Sequence, residues 1–380
     1  MTDLTSTVSD VRGAASGRRI SELDGWRGIS ILFVIFGHLL NKRYEAFFAP
    51  PTPNPSAVFA GWGVDIFFVI SGFIITKLAL DEQRIEGRFS PAAFYTRRIF
   101  RILPPFYLYL LVIGLLAAGG YIAQDWKGAA IAATFTCNIP AVLHRCGWFP
   151  GHSWTLAFEE QFYLTFPFIF CFAYRNVGKV FLGLLAVFIA FPFFRIAVHM
   201  PAAWLSSMAV SFSFITVGAV VAAYEQTFRL LVLGKYGAYI SVAAAFTLLG
   251  LIILDGFFAF PLGSRPAYIQ AALNVLLLPL GVAWTALSSV YRRGPLTRLL
   301  NHPALQFIGL ISYSLYLWQE AFTSAPENYL SPTVLEFAPL MFVMATLSYF
   351  GLERPCIRFA KRLLAGRKLL PAGVTSAVLE

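Results

Sequence analysis

From residue 28 onward the chain alternates between long apolar runs and short polar gaps. Ten runs are long or apolar enough to read as membrane-spanning helices: 28–42, 58–80, 103–122, 155–174, 178–198, 204–224, 237–255, 268–290, 305–323 and 333–352. A helix that crosses a bilayer needs about 20 predominantly apolar residues. An eleventh run, 129–143, has only about 15 and reads as re-entrant. The predicted fold is all-α and integral to the membrane, with about ten transmembrane helices and no separate soluble domain. No internal repeat stands out. The stretch Ala49–Ser56 carries four prolines and reads as an extended outer loop.

The basic residues orient these spans, because cytoplasmic loops carry the excess of Lys and Arg. Let both termini be cytoplasmic and let 129–143 re-enter from outside. Lys42, Arg43, Lys127, Arg145, Arg195 and Arg265 then face outward, and the other 23 of the 29 Lys and Arg face inward. A full crossing by 129–143 would move every later loop to the opposite side and erase the asymmetry. Irregular backbone at membrane depth is tolerated only where it is buried in protein or lines a cavity. A pocket near residues 124–154 is therefore expected. The implied organisation is a flexible cytoplasmic N-terminus (1–20), a membrane domain (21–355) and a basic cytoplasmic tail (356–380).

Composition agrees with this reading. Hydrophobic residues make up 58% of the chain and charged residues 13%, against about 25% charged in soluble domains. The 38 Phe and 8 Trp suit aromatic belts. A net charge of +10 would suggest nucleic acid in a soluble protein. Here the cations fill the gaps between spans, and no basic and aromatic stripe of the single-strand-binding kind lies outside the apolar runs. No small-x-small cleavage site follows the first run, so no cleaved leader is expected.

Ionisable residues inside apolar spans are costly and mark function by default. Four constellations qualify. Arg27 and His38 lie in ELDGWRGISILFVIFGHLL, eleven positions apart. On a helix that spacing returns to within about 20° of the same face and about 16 Å along the axis. A snorkelling Arg and a satisfied core His are the plain reading of each alone. Together they lay a cation and a base along one face, and His suits proton transfer near neutral pH. Arg98 and Arg101 in YTRRIFRILPPF are at i and i+3 and face the same way. Two guanidiniums on one face suit a phosphate, though positive-inside anchoring explains them equally well and suffices for Arg97. Asp65 in GWGVDIFFVISGFIIT needs a partner, structural or catalytic. Glu159 and Glu160 in GHSWTLAFEEQFYLTFPF diverge by about 100° on a helix, so one of the pair should face the cavity. Cys137, His144, Cys146 and His152 fit no common zinc spacing. A Cys137–Cys146 disulfide is the better reading of those cysteines, and no metal site is expected. No nucleophile elbow, P-loop or dinucleotide-binding fingerprint is present.

These same segments resemble acyltransferase family 3, the bacterial membrane O-acyltransferases. The resemblance covers most of the chain: LDGWRGISILFVIFGHL, GWGVDIFFVISGFIIT, RRIFRILPPF and SWTLAFEEQFYLTFP occur in order, and ISYSLYLWQ and the ERP tripeptide at Glu353 follow near the end. It implies ten spans, a location in the cell inner membrane and transfer of an acyl group, most often acetyl. Acetyl-CoA would be a co-substrate supplied from the cytoplasm, with no permanently bound cofactor. The acceptor would be a sugar hydroxyl of a surface polysaccharide or glycolipid. His38 would be catalytic, Glu159 or Glu160 would supply the catalytic carboxylate, and Arg27, Arg98 and Arg101 would hold the donor's phosphates. Asp65 and Trp154 would support the site. Many relatives carry a further esterase-like domain. Here the sequence stops about 28 residues after its last span, which favours direct transfer to a membrane-associated glycan.

Three rival readings stand beside this one. A multi-span transporter would explain the spans and buried charges, but not the clustered arginines. A non-catalytic membrane subunit of a glycan-assembly complex would tolerate loss of His38. The third is an acyltransferase acting on a small hydrophobic acceptor, and Trp148, Phe149 and Trp154, read as outward pocket residues, suit stacking on a sugar or on an apolar ring equally well.

Overall fold

The computed structural model describes residues 20–44, 55–139, 145–200, 203–257, 269, 272–324, 328–330, 337 and 339–368. Residues 1–19, 45–54 and 369–380 are among those that lie outside them. Among the described residues the structure is helical, and extended pairing is confined to one bridge between Ile122 and Tyr329.

The helices are α1 (Ser21–Tyr44), α2 (Pro55–Glu86), α3 (Pro91–Ala118), α4 (Trp126–Ala132), α5 (Trp154–Ala173), α6 (Val177–Ala197) and α7 (Ala203–Ala223). They continue with α8 (Glu225–Leu233), α9 (Gly237–Phe257), α10 (Leu278–Ser288), α11 (Pro295–Leu300), α12 (Pro303–Leu310), α13 (Ser312–Thr323), α14 (Leu340–Ser348) and α15 (Arg354–Lys368). A π-helical stretch, Leu273–Leu277, leads into α10, and another, Tyr349–Glu353, joins α14 to α15. Among the described residues five stretches are long and apolar enough to cross a membrane, and α8 with α9, bent by 95° at their junction, reaches that length only when the two are taken together. The protein is thus a multi-pass membrane protein.

One of the five stretches is Trp148–Ala197, 50 residues long. It does not run straight. Phe166 of α5 stacks on Phe181 of α6 at 6.1 Å between ring centroids. Fifteen residues along a straight helix would separate those rings by about 22 Å. The chain therefore folds back at the 3₁₀ turn Tyr174–Asn176, and α5 and α6 form an antiparallel hairpin with the length for two crossings. The other anticipated runs fare differently. Apolar run 305–323 is divided at Ile311 into α12 and α13. In the run 129–143, α4 ends at Ala132, turns follow as far as Ile139, and residues 140–144 lie outside the description. The basic segment after residue 353 is helical, and Phe359 packs against Phe100 of α3 at 5.3 Å.

The chain divides into two compact units. One comprises Met1–Phe89, Phe135–His144 and His152–Ser312, and the other Ser90–Thr134, Arg145–Gly151 and Tyr313–Glu380. In the first unit α2 packs along both α1 and α7. Its crossing with α7 is set by two glycines. A Cβ at Gly72 would collide with the Ile215 carbonyl, and one at Gly218 with the Val69 carbonyl. Small residues let membrane helices approach backbone to backbone, where dispersion rather than the hydrophobic effect must hold them. In the second unit Pro104 and Pro105 sit inside α3 and remove two helical donors. Tyr313 of α13 donates its hydroxyl to the nearby Ile102 carbonyl at 2.9 Å.

Candidate active site

His38 and Arg27 both lie within the single unbroken helix α1, and both are half-buried. The eleven-residue offset read from the sequence therefore applies without interruption. One turn before Arg27, Asp24 lines an open cleft of about 310 Å³ with Ser21, Gln306, Phe307 and Leu310.

Glu159 is the best-defined acid of this unit. Ser71 of α2 donates to its Oε1 at 2.6 Å. Tyr163, one turn further along α5, donates to Oε2 at 3.1 Å. The Tyr163 hydroxyl also reaches Ser71 Oγ at 3.3 Å. Both carboxylate oxygens thus have a donor, and one of those donors comes from another helix. Bonds to a charged acceptor are roughly twice as strong as neutral ones, so the triad fixes the rotation of α5 against α2. Glu160 is half-buried and turns about 100° away.

On the far side of Glu160, Gln161 is locked to Asn138. The two carboxamides bond reciprocally, Asn138 Nδ2 to Gln161 Oε1 at 2.9 Å and Gln161 Nε2 to Asn138 Oδ1 at 3.0 Å. This pair ties the described part of the 129–143 run to α5 beside the two acids. Trp154, half-buried, stands edge-on to Phe158 at 6.0 Å, and Phe158 in turn meets Phe68 of α2 at 6.2 Å. Asp65 is half-buried on α2.

The arginine pair belongs to the second unit. Arg98 and Arg101 on α3 are half-buried while Arg97 is exposed, as the i, i+3 reading requires. Arg98 lies over the Phe94 ring at 5.8 Å. Phe149, expected as an aromatic platform, is instead a core residue. It is fully buried, its ring meets Tyr329 at 6.2 Å, and its carbonyl accepts from the Tyr109 hydroxyl at 2.6 Å. Cys137 and Cys146 are disulfide-bonded, which removes both from any zinc set. His144 lies outside the described residues.

Sequence reasoning missed two acids in this unit. Glu320 on α13 is 3% exposed, and Glu353 in the π-helical stretch is 2% exposed. Ser314 donates to Glu353 at 2.9 Å. Glu320 interrupts the apolar run 305–323, so the rule that singled out Asp65 would have found it. Glu353 was noted only as part of a tripeptide.

A scan of family profiles matches an acyltransferase domain over residues 20–353. A Staphylococcus aureus (strain COL) protein named for an assumed O-acetyltransferase activity is 28% identical over 366 residues, covering 89% of this chain and 57% of that protein. The peptidoglycan O-acetyltransferase OatA of Listeria monocytogenes is 26% identical over 375 residues, covering 90% of this chain and 56% of that protein. The chain thus spans little more than half the length of these relatives. No solved structure matches it. The profile match runs through the Arg27–His38 helix, the arginine pair and the Glu159 triad to Glu353, and it places the chain in acyltransferase family 3.

Proposed function

We propose that this protein is an O-acyltransferase of the cell inner membrane. It would move an acyl group, most readily acetyl, from acyl-CoA to a sugar hydroxyl of a surface polysaccharide or glycolipid. The observation that carries this reading is the unbroken helix α1. It sets a half-buried imidazole about 16 Å along one face from a half-buried guanidinium, a reach that suits the arm between the phosphates and the thioester of coenzyme A. The name of the Listeria relative, a peptidoglycan O-acetyltransferase, favours a glycan acceptor.

In the proposed chemistry the donor's phosphates dock on Arg27, Arg98 and Arg101, where forked donors match phosphate oxygens. His38 takes the proton of the acceptor hydroxyl, whose oxygen attacks the thioester carbonyl. The C–S bond breaks, the new C–O ester bond forms, and the coenzyme A thiolate leaves and is protonated. The same residues also suit a two-step route in which His38 carries the acyl group transiently. The Glu159/Glu160 pair supplies the carboxylate that orients the imidazole or the acceptor. Asp65 and Trp154 shape the surroundings.

The test compares base-labile ester on surface glycans from cells carrying the unaltered gene, His38→Ala or no gene, at matched membrane levels. Ester made only by the unaltered protein is the expected result. Ester unchanged in all three would remove surface glycan as the acceptor and bring forward a small hydrophobic acceptor or transport. Ester lost on deletion yet kept by His38→Ala would sink the catalytic role of His38.

A further inference from the structure

The cleft beside Asp24 takes no part in the chemistry above. Ser21 and Asp24 of α1 form one wall, and Gln306, Phe307 and Leu310 of α12 form the other. Glycines hold these helices close. A Cβ at Gly309 would strike the Asp24 carbonyl, one at Gly28 the Leu305 carbonyl, and one at Gly25 the Leu300 carbonyl. Backbone therefore rests on backbone on either side of the cleft. Its volume of about 310 Å³ is at the small end of the range for sites that hold a small molecule.

The walls have a definite chemical preference. Asp24 is 6% exposed, and a carboxylate offers acceptors. Gln306 Nε2 carries two protons, and both are spent: on the Ser21 carbonyl at 2.7 Å and on the Leu300 carbonyl at 2.6 Å. What Gln306 has left is Oε1, a further acceptor. The Ser21 hydroxyl donates to Glu22 Oε2 at 3.3 Å. The polar part of the cleft thus asks for donors and repels a phosphate. The rest is apolar, from Leu310 and from Phe307, which is 42% exposed. An aromatic face takes a flat partner in offset stacking. A bare cation would satisfy the acceptors and leave ring and leucine unused. A purine with an exocyclic amino group satisfies all of them, and the hydroxyls of an attached ribose add further donors.

The cleft also has a definite place along α1. Arg27 is three residues beyond Asp24, about 4.5 Å along the axis, and His38 is fourteen residues beyond it, about 21 Å. On one regular helix the three positions fall within about 60° of one another. The order along this face is acceptor-lined cleft, guanidinium, imidazole. Coenzyme A carries its parts in the same order: adenosine, phosphates, arm and thioester.

We propose that the cleft seats the adenosine end of the acyl-CoA donor. The inference rests on the acyl-CoA reading above. Asp24 and Gln306 Oε1 accept from the adenine amino group or a ribose hydroxyl, the Phe307 ring stacks on the purine, and Leu310 packs against it. The carboxylate keeps phosphate out of the cleft. It thereby sets the register of the donor, with phosphates at Arg27 and the thioester toward His38. Asp24 and Phe307 are specificity-determining residues rather than catalytic ones.

The test is equilibrium binding to the purified full chain in detergent, with two donors compared. Acetyl-CoA is one. Acetyl-phosphopantetheine, which keeps a phosphate, the arm and the thioester but has no adenosine, is the other. Asp24→Asn removes the charge and one acceptor, and Phe307→Ala removes the ring. The unaltered protein should bind acetyl-CoA at least about tenfold more tightly than the shorter donor, the margin of one good charge-assisted hydrogen bond. Asp24→Asn should weaken acetyl-CoA binding about tenfold, and Phe307→Ala about fivefold. Binding of acetyl-phosphopantetheine should not move in either variant. Equal weakening of both donors, or unchanged acetyl-CoA binding, would overturn the proposal. Tighter acetyl-CoA binding by Asp24→Asn would do so too and would mark the cleft as a cation site. If Asp24→Asn does not fold, Phe307→Ala decides alone. Equal affinity of the unaltered protein for the two donors would remove the adenosine seat and leave the acyl-CoA reading standing. Binding of neither donor would sink that reading, and this site with it.

Discussion

Glu159 in the first unit and Glu320 in the second are both carboxylates inside apolar helices, yet they are held by different means. Glu159 receives a hydroxyl from Ser71 on another helix and a second from Tyr163 on its own. Glu320 receives the carboxamide of its chain neighbour Gln319. The first arrangement depends on how closely two helices approach. The bond from Gln319 needs only the winding of α13 itself. A carboxylate held across an interface is only as well placed as the helices that meet there, whereas a bond from a chain neighbour survives any change in their packing.

The comparison breaks most readily at the glycine crossing. Gly218→Val would drive side-chain atoms into the Val69 carbonyl, and overpacking of this kind costs about 3 kcal/mol. The melting temperature in detergent should fall by many degrees, and transfer activity with it. Gly114 on α3 has no atom within 4 Å of an added Cβ. Gly114→Ala should leave the melting temperature unchanged or slightly raised, since alanine is the better helix former by up to about 1 kcal/mol. Equal losses in the two variants would remove the assigned role of the glycine crossing.

A sharper version removes one hydroxyl from each unit. Ser71→Ala takes a donor from Glu159, and Tyr109→Phe takes one from the buried Phe149 carbonyl. Leaving a buried partner unsatisfied costs about 1–3 kcal/mol, toward the upper end for a charged group. Ser71→Ala should therefore destabilise more and lower the maximal transfer rate roughly tenfold, the rate equivalent of about 1.4 kcal/mol. Tyr109→Phe should lower stability alone. Thermal unfolding and initial rates on the same membranes decide it, and a larger rate loss from Tyr109→Phe would reverse the assignment.

The smallest effect concerns pH. Lys77 pairs with Glu225 at 2.7 Å, and Tyr291 donates to the same carboxylate at 2.8 Å. Burial, then the Glu225 charge and hydrogen bond, push the Tyr291 phenol well above its ordinary value near 10. The unfolded chain would lose this proton first, near pH 10, while the folded protein keeps it. Stability contributed by the folded phenol is thus present below about pH 10 and declines as pH climbs beyond it. The unfolding midpoint should fall less between pH 9 and 11 in Tyr291→Phe than in the unaltered protein. Identical slopes would show that the phenol is not held this way.

Much of this organisation was legible in the chain. The runs 155–174, 178–198 and 204–224 match α5, α6 and α7 to within about two residues, because each is a dense apolar block with a polar gap on either side. The offset of Arg27 from His38 needed only an uninterrupted helix. The start of α1 was misplaced, because Glu22, Asp24 and Arg27 look like loop residues to a hydropathy count. Asp24 is nevertheless buried, in contact with Gly309 through its backbone. The division of the run 305–323 carried no proline or polar signal at Ile311. Pairings over long sequence distances, such as Ser71 with Glu159, depend on helix crossings that no local pattern encodes. Phe149 was misread because an aromatic residue beside a turn looks the same whether its ring is outside or inside.

The π-helical stretch Tyr349–Glu353 has a further consequence. A π-bulge is an ordinary helix with one residue too many, squeezed in without breaking the ladder. Everything after it is turned by about 100° relative to an uninserted chain. Excising one residue between Tyr349 and Gly351 would restore the regular winding and rotate Arg354–Lys368 by that angle, swinging Phe359 off Phe100. The basic terminal helix would then present another side to its surroundings with no change in its own sequence. The extra residue works as a phase setting, and a single-codon deletion is enough to reset it.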